Sequence, residues 1–240
     1  MDRIELSIVL PALNEEKTIC ACIEKAFTAL RRMGIEDRSE IIVADNGSTD
    51  ATRARAETRG VRVIAVPGRG YGNAVNAGCE AARGTLIVFA DADDSYDCGE
   101  IGPFVERLRE GYDVVIGNRF KGVIEKGAMP FLHRYVGTPL LSATLGILFR
   151  ARIGDCNCGM RGITKDALER LSFHAEGMEY ISGMLAQALL LKMRIVELPC
   201  NLYRDKRGRP SHLRTFRDGW RNIRLLLTLR LRPRPAQNYG

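Results

Sequence analysis

The chain has 240 residues, of which 45% are hydrophobic and 27% are charged. This composition suffices for one large α/β domain or two small ones, and it excludes a largely disordered chain. The opening residues MDRIELSIVLPALNEE lack the apolar length and cleavage site of a signal peptide, and no uninterrupted apolar window of about 18 residues predicts a transmembrane helix. Together with seven cysteines, these features indicate free thiols in a reducing cytoplasm.

Positive charge is concentrated at the C-terminal end. Residues 201–240 contain eleven Lys or Arg and two acidic residues, which gives a net charge of +9, whereas residues 1–200 sum to −2. A basic end of this kind indicates an anionic partner. The candidates are nucleic acid, phosphate groups and an anionic membrane face.

The first half of the chain alternates short apolar runs with helix-like segments. The runs that predict strands are residues 4–13, 39–45, 61–67, 85–91 and 112–119. The intervening segments have apolar residues at helical spacing, as at Ile19, Ile23, Phe27 and Leu30. This alternation predicts an α/β fold with a single Rossmann-like, mostly parallel sheet flanked by helices.

Polar residues follow the predicted strands at their carboxyl ends. Asn14 and Glu15 follow the first strand, and Asp45 ends the second. Asp91 ends the fourth strand, and Arg119 follows the fifth. Because the carboxyl ends of parallel strands meet at one edge of a sheet, these side chains are expected to form one site.

Asp91 and Asp93 are separated by one residue, so both carboxylates can face the same way. Such hard oxygen ligands suit Mg²⁺ or Mn²⁺, which keeps several waters and accepts phosphate oxygens as further ligands. The alternative is an acidic turn in which Asp94, Ser95 or Asp97 caps a helix.

The turn ADNGSTD after the second strand has the composition of a type I turn with a helix cap. Gly47 supplies the positive φ of that turn. A function can coexist with this structure, because Asp45 can accept a hydrogen bond from a nucleobase N–H or a ribose hydroxyl.

Six segments occur in a characteristic order: VLPALNEEKTI, VADNGSTDAT, GRGYGNAVNAG, FADADDSYD, IGNRF and DCNCGMRGI. Together they resemble the family 2 glycosyltransferases of the GT-A fold. The most similar branch contains the dolichyl-phosphate mannose or glucose synthases and the bacterial polyprenyl-phosphate glycosyltransferases. The resemblance covers roughly residues 4–215, and it implies a GT-A domain at 1–212 followed by a basic amphipathic helix and tail at 213–240.

By this resemblance, the base and ribose of a nucleotide are held by residues of the first two turns: Pro11, Ala12, Asn14, Glu15 and Asp45. Asp91 and Asp93 hold Mg²⁺ or Mn²⁺ and the diphosphate of the donor. Gly70 lies in a glycine-rich segment near the nucleotide, where glycine permits close approach of the backbone. The alternative for that segment is a simple loop before a helix.

Arg119 matches an arginine that faces the acceptor phosphate in the family, and Asp155, Gly159 and Arg161 match a downstream Asp-x-x-x-Gly-x-Arg motif. In many inverting relatives an aspartate near this position is the base toward a sugar hydroxyl. A phosphate acceptor is already an anion near neutral pH and needs little base assistance, so Asp155 can instead position other groups. The predicted catalytic residues are Asp93, Arg119 and Asp155, with the role of Asp155 open.

Residues 127–155 predict a helix that Pro130 can begin. Its apolar stripe consists of Leu132, Val136, Leu140, Leu141, Leu145 and Leu148. The stripe fits a core helix or an amphipathic helix at a membrane surface, and the resemblance favours the second because relatives bring a lipid phosphate to this region. His133 or Arg134 would contact that phosphate, and the spacing does not choose between them.

Arg204 and Arg207 lie in a basic segment that closes over the donor diphosphate and the acceptor phosphate in similar family members, here with Gly208 and Ser211. The alternative is a solvated basic loop. A helix predicted over 213–231 has arginines on one side and an apolar side that favours an anionic membrane surface. The residues of that apolar side are Phe216, Trp220, Ile223, Leu226 and Leu227.

Many relatives continue into membrane-spanning helices, whereas this sequence ends at RPRPAQNYG. The expectation is a peripheral protein on the cytoplasmic face of the membrane, one that works with a separate membrane-spanning partner, or a truncated product.

The leading hypothesis is a metal-dependent, inverting hexosyltransferase that moves a sugar from a UDP-sugar or GDP-sugar to a polyprenyl (dolichyl or undecaprenyl) phosphate. A second hypothesis keeps this donor but takes a sugar or glycolipid hydroxyl as acceptor, with Asp155 as base. A third is a catalytically inactive sugar-nucleotide-binding or scaffold protein. A nucleic-acid-binding module is disfavoured, because the tail lacks interleaved aromatic residues and the acidic turn repels phosphates.

Overall fold

The computed structural model describes residues 4–207 and 215–231. Within these ranges, seven strands form one sheet: β1 (Leu6–Ala12), β2 (Ser39–Asp45), β3 (Arg62–Ala65), β4 (Leu86–Phe89), β5 (Val114–Asn118), β6 (Arg161–Thr164) and β7 (Ile195–Pro199). Their order across the sheet is β3-β2-β1-β4-β6-β5-β7. β6 runs antiparallel to β4 and β5, and the other neighbouring strands are parallel.

Helices cover both faces of the sheet. In chain order they are α1 (Ile19–Met33), α2 (Thr52–Glu57), α3 (Tyr71–Ala81), α4 (Gly102–Arg109), α5 (Thr138–Phe149), α6 (Lys165–Arg170), α7 (Glu179–Leu190) and α8 (Thr215–Leu231). α1, α2 and α4 pack on one face, and the other five pack on the opposite face.

β1 illustrates why the sheet is buried on both sides. All seven of its residues are buried. Leu6, Ile8 and Leu10 enter the core beneath α1 and α4, whereas Val9 enters the core beneath α3 and α7. Because side chains of a strand alternate between faces, a continuous apolar run serves both cores.

The predicted α/β fold is confirmed, and all five predicted strands are present. The apolar pattern does not predict β6 or β7. β6 is only four residues long and contains Arg161 and Gly162. β7 is a partly buried edge strand that contains Glu197 and ends in Pro199, so neither strand has the apolar run that marks a central strand.

The helix predicted after Pro130 starts at residue 131 and contains a π-helical turn, His133–Gly137, that continues into α5. Leu141 and Leu145 are buried in the core, whereas Leu140 is 60% exposed. The core interpretation therefore applies to Leu141 and Leu145, whereas the membrane-surface interpretation of the exposed residues stays a prediction.

α8 provides the predicted C-terminal helix, and it packs against α7 and α5. Leu226 is buried in the core, but Trp220 is 67% exposed, so the apolar residues divide between two sides instead of sharing one. Leu213 and the side chain of Phe216 lie outside the described residues. In the part of the chain that is described, no helix combines the length and the hydropathy that a membrane crossing requires.

Candidate active site

A cavity of about 730 Å³ opens beside the carboxyl ends of β4 and β5. Asp91, Asp93, Arg119 and Arg207 supply charge to its wall. Apolar side chains from residues 128–141, from Ile181 of α7 and from α8 supply another part of the wall. The cavity can therefore accept a ligand that is anionic at one part and apolar at another.

The first two turns are held together by hydrogen bonds beside this cavity. The Asn14 N–H donates to Ser48 Oγ (2.9 Å), and the Thr49 N–H donates to Asn14 Oδ1 (2.7 Å). The Glu15 N–H donates to Thr52 Oγ1 (2.7 Å). The predicted nucleoside-binding residues Asn14 and Glu15 are therefore fixed at the carboxyl end of β1.

The other predicted nucleoside-binding residues end neighbouring strands. Asp45 ends β2, and its Oδ1 accepts a hydrogen bond from the Ser48 N–H (3.0 Å). Pro11 and Ala12 end β1 in register with Ala44 and Asp45. Both are buried, and the Ala12 side chain packs in the core, so only the backbone at this strand end is suited to contact a nucleotide.

Asp91 and Asp93 both line the cavity. Tyr71 Oη donates to Asp91 Oδ1 (2.6 Å), and Asp93 Oδ1 accepts from the N–H (3.0 Å) and the hydroxyl (2.5 Å) of Ser95. Burial, and secondly the Asp93 carboxylate, raise the pKa of Asp91 to about 6. A divalent cation would relieve this repulsion between the two carboxylates.

The other aspartates of this turn have structural partners. Asp94 is 2% exposed, and its two oxygens accept from Lys25 Nζ (2.7 Å) and Lys206 Nζ (2.6 Å). Asp97 Oδ1 accepts from the Gly99 N–H (2.8 Å) at the start of a 3₁₀ turn. The capping interpretation therefore applies to Asp97, and the candidates for holding a metal remain Asp91 and Asp93.

Within the described ranges, no group of three or more His, Cys, Asp or Glu side chains is arranged to hold a metal ion. A site with two carboxylates leaves other coordination positions to water and phosphate oxygens, as Mg²⁺ ordinarily does. The acidic turn therefore fits a metal that binds together with a diphosphate.

Arg207 links the acidic turn to the first turn. Its Nη2 lies 3.0 Å from Asp93 Oδ2, and its Nη1 lies 3.4 Å from Glu15 Oε1. Burial disfavours its charge, but the carboxylates of Asp205, Asp93 and Glu15 raise its pKa, so Arg207 remains a cation. A cationic group therefore already occupies the open side of Asp93.

Arg204 lies away from the cavity. Its N–H donates to Glu125 Oε2 (2.8 Å), and its Nε donates to the Lys126 carbonyl (2.7 Å). Arg204 therefore fixes the loop at residues 125–127, and of the two predicted arginines only Arg207 lines the cavity. The predicted Gly208 and Ser211 lie outside the described residues.

His133 and Arg134 take different positions although they are adjacent. His133 lines the cavity, and burial together with the nearby Arg119 guanidinium lowers its pKa. The Arg134 guanidinium instead lies over the ring of Tyr135, 5.5 Å from its centroid, and does not line the cavity. The helical geometry therefore brings His133 to the site, a choice that the sequence spacing leaves open.

Arg119 and Asp155 form a bidentate ion pair. Arg119 Nε donates to Asp155 Oδ2 (2.6 Å), and its Nη2 donates to Oδ1 (2.8 Å). The Asn157 N–H also donates to Oδ1 (3.2 Å), and Asp155 is 0% exposed. Because both carboxylate oxygens are occupied, Asp155 anchors Arg119 at the cavity and offers no open oxygen for a base.

Glu197 supports this pair from β7, and no sequence motif indicates it. Its Oε1 accepts from the N–H groups of Gly154 (2.7 Å) and Asp155 (3.1 Å). Its Oε2 accepts from Asn118 Nδ2 (3.2 Å) and Lys121 Nζ (3.2 Å). One carboxylate therefore fixes both the segment that contains Asp155 and the end of β5.

Arg161 is a fully buried cation beneath the same segment. Its guanidinium donates to the carbonyls of Cys156 (2.6 Å), Cys158 (3.0 Å) and Ile181 (2.7 Å). These bonds satisfy the buried donors and tie residues 156–158 to α7. The Arg of the Asp-x-x-x-Gly-x-Arg motif thus shapes the backbone that follows Asp155.

Gly70 makes its close approach to the chain's own backbone. Its φ is 143°, and a Cβ at this position would lie 2.2 Å from the Glu176 carbonyl oxygen. The N–H groups of Gly72 and Asn73 at the start of α3 donate to the same carbonyl (2.8 and 3.3 Å). The glycine-rich segment is therefore required for packing against residues 175–177, and its place near a nucleotide stays a prediction.

The Glycosyl transferase family 2 model matches residues 7–172. The chain is 40% identical over 223 residues to a low-salt glycan biosynthesis hexosyltransferase of Haloferax volcanii, a match covering 92% of this chain and 53% of that protein. It is 31% identical over 206 residues to a dolichyl-phosphate hexose transferase of the same organism, with 85% of each chain covered. A solved structure of glucosyl-3-phosphoglycerate synthase from Mycobacterium tuberculosis with Mn²⁺, uridine diphosphate and phosphoglyceric acid matches with a TM-score of 0.71 and 26% identity, covering 95% of this chain and 79% of that one.

The chain thus spans about half the length of the Haloferax hexosyltransferase. The family match covers most of the chain and includes the acidic turn, Arg119 and Asp155. The likeness to the mycobacterial synthase covers 95% of this chain. The protein therefore has the GT-A fold and belongs to glycosyl transferase family 2.

Proposed function

We propose that the protein is a metal-dependent, inverting hexosyltransferase that transfers a sugar from a UDP-sugar or GDP-sugar to a polyprenyl phosphate. The main support is the cavity, where Asp91, Asp93, Arg119 and Arg207 share a wall with many apolar side chains. A phosphate on a long apolar chain matches both parts of that wall. One relative is named a dolichyl-phosphate hexose transferase.

The residues of the acidic turn fit a divalent cation. Asp91 Oδ1 is held by Tyr71, and no described residue donates a hydrogen bond to Asp91 Oδ2. Asp93 directs its Oδ2 toward a cation, the Arg207 guanidinium. We infer that Asp91 and Asp93 hold Mg²⁺ or Mn²⁺, which neutralises charge on the diphosphate leaving group when bound.

The remaining roles belong to the protein's own side chains. Asn14, Glu15 and Asp45 hold the nucleoside at the ends of β1 and β2. Arg119, which Asp155 fixes, and His133 bind the acceptor phosphate on the cavity wall. The phosphate oxygen attacks the anomeric carbon from the face opposite the diphosphate, so the configuration inverts.

Asp155 supports a phosphate acceptor over a hydroxyl acceptor. A hydroxyl nucleophile needs a base that removes its proton, whereas a phosphate oxygen is already anionic near neutral pH. Both oxygens of Asp155 are engaged by Arg119 and Asn157. The carboxylate is therefore better suited to positioning Arg119 than to removing a proton.

The proposal is tested by offering the purified protein a panel of radiolabelled UDP-sugars and GDP-sugars with Mn²⁺ and detergent-dispersed undecaprenyl or dolichyl phosphate. We expect label from one donor to enter the lipid fraction, and EDTA to prevent it. The matched control is the free polyprenol, which presents a hydroxyl on the same chain and should accept no label. Transfer to the polyprenol or to soluble sugars, but not to the polyprenyl phosphate, would contradict the proposed acceptor.

A surface beside the cavity supports peripheral binding to an anionic membrane. Of the eleven large apolar residues that are exposed in the described part of the chain, nine lie on residues 131–147 or on α8. α8 packs beside α5, so these residues share one region, and α8 adds Arg217, Arg224 and Arg230 to it. Apolar side chains next to arginines suit the interface of an anionic bilayer.

Replacing Phe131 and Ile147 together by serine is expected to weaken binding to vesicles of phosphatidylglycerol and phosphatidylcholine by about 10-fold or more. The two side chains are 76% and 79% exposed, so their loss should leave the fold intact. Cosedimentation with the vesicles measures the binding. The control is Val123→Ser. Val123 is 69% exposed and lies on a different loop, so this variant should bind the vesicles as well as the wild type does. Equal binding by the double variant and the wild type would remove the support for this surface.

A further inference from the structure

Tyr71 is a cavity residue that the proposed mechanism does not use. It is the first residue of α3, and its hydroxyl donates to Asp91 Oδ1 over 2.6 Å. In this hydrogen bond the phenol O–H donates and the carboxylate oxygen accepts.

The backbone around Tyr71 is clamped on both sides. The Gly70 N–H donates to Asn46 Oδ1 (2.7 Å), and the Gly72 N–H donates to the Glu176 carbonyl (2.8 Å). A Cβ on Gly72 would lie 2.1 Å from the Ala175 carbonyl oxygen, so only glycine allows the helix start to pack this closely against that backbone. The position of the phenol is therefore set before any ligand binds.

The opposite side of the Asp91 carboxylate is kept open by Gly159. A Cβ on Gly159 would lie 2.5 Å from Asp91 Oδ2. Gly159 is itself held by its N–H, which donates to Tyr96 Oη (3.0 Å). Asp91 thus has one oxygen fixed by a phenol and one oxygen beside a residue with no side chain.

We propose that Tyr71 is a positioning residue for the metal: its hydroxyl fixes the Asp91 carboxylate so that Oδ2 is available to the cation, in a space that Gly159 leaves clear. The inference rests on the proposed metal-binding role of Asp91. Partners that orient a metal ligand typically change metal affinity by about 10–100-fold when they are lost. Tyr71→Phe removes only the hydroxyl and keeps the ring that lines the cavity.

The test compares Tyr71→Phe with Tyr180→Phe. Tyr180 is buried, whereas Tyr71 is partly buried, and the Tyr180 hydroxyl donates to Asn76 Oδ1 (3.1 Å) farther along α3. Each variant loses one phenolic hydrogen bond, so thermal melts should show similar small decreases in stability. Mn²⁺ binding is then measured with saturating uridine or guanosine diphosphate at one mildly alkaline pH, from the electron paramagnetic resonance signal of free Mn²⁺.

We expect Tyr71→Phe to weaken Mn²⁺ binding by about 10-fold or more and Tyr180→Phe to leave it unchanged. Excess Mn²⁺ should restore the transfer rate of Tyr71→Phe, because the defect lies in metal affinity. Wild-type affinity for Mn²⁺ in Tyr71→Phe would overturn this inference alone. A wild-type protein that binds no Mn²⁺ with either nucleotide would instead overturn the proposed function, and this inference with it.

Discussion

Asp93→Asn is expected to eliminate metal-dependent nucleotide binding and to lower the transfer rate by about 1000-fold. The substitution keeps an oxygen that can accept the two hydrogen bonds from Ser95. It replaces the other oxygen, which faces Arg207, by an uncharged amide. The fold should therefore persist while the negative charge that holds the cation is lost.

Calorimetric titrations with UDP, GDP and CDP, each with Mn²⁺ and then with EDTA, measure this loss of nucleotide binding and identify the nucleobase of the donor. The matched control is Asp97→Asn, which makes the same chemical change in the same acidic segment. The Asp97 side chain is 29% exposed, accepts from the Gly99 N–H and does not line the cavity. We expect one nucleotide to bind wild type and Asp97→Asn equally. Retention of Mn²⁺-dependent binding by Asp93→Asn would rule out this residue as a metal ligand.

Arg119→Gln is expected to damage both stability and catalysis. It leaves the fully buried Asp155 carboxylate without its bidentate partner, which typically costs about 3–5 kcal/mol of unfolding free energy. It also removes a cation from the cavity wall, which should lower transfer by about 100-fold or more. Arg119→Lys should not restore the rate, because an ammonium cannot reproduce the bidentate geometry.

A double variant separates the two effects. Arg119→Gln with Asp155→Asn removes the unpaired charge, so most of the lost unfolding free energy in urea titrations should return while transfer stays low. Lys121→Gln is the control, because its ion pair with Glu197 involves a side chain that is 53% exposed and should contribute little. Recovery of transfer together with stability in the double variant would show that Arg119 acts only as a structural partner of Asp155.

The parts of the fold that follow from the sequence are those with local signals. Apolar runs predict β1 to β5, and the polar residues after them predict that Asp45, Asp91 and Arg119 share one edge of the sheet. β6 has no such signal, because it contains the charged residue Arg161. This residue can be buried since its guanidinium donates hydrogen bonds to backbone carbonyls. β7 exposes part of every residue, so its pattern resembles a loop.

The candidate site likewise contains some residues that sequence motifs indicate and others that only the folded structure brings together. Motifs single out Asp91 and Asp93, which line the cavity, and Asp155, which pairs with Arg119 there. The contact of Arg207 with Glu15, in contrast, joins residues 192 positions apart. No periodicity or composition encodes a contact at that distance. The sequence does not predict the roles of Tyr71 and Glu197 for a related reason. Each acts on a residue that becomes its neighbour only when the sheet has formed. The choice between His133 and Arg134 likewise requires the folded helix, in which His133 lines the cavity and Arg134 does not.

The antiparallel strand β6 constrains how the molecule can be assembled as it is synthesised. β1 to β4 pair among themselves, so that half of the sheet can form once residue 89 is available. β5 is made next, but it pairs with β6 and β7, and β6 comes from residues 161–164. Pairing between segments so far apart in the chain is slow, and the edge of β4 stays unpaired until β6 has been made. Arg119 directly follows β5, and β5 has its partners in the sheet only once β6 and β7 have been made. A fragment that ends before β6 therefore contains the acidic turn but cannot place Arg119 beside it.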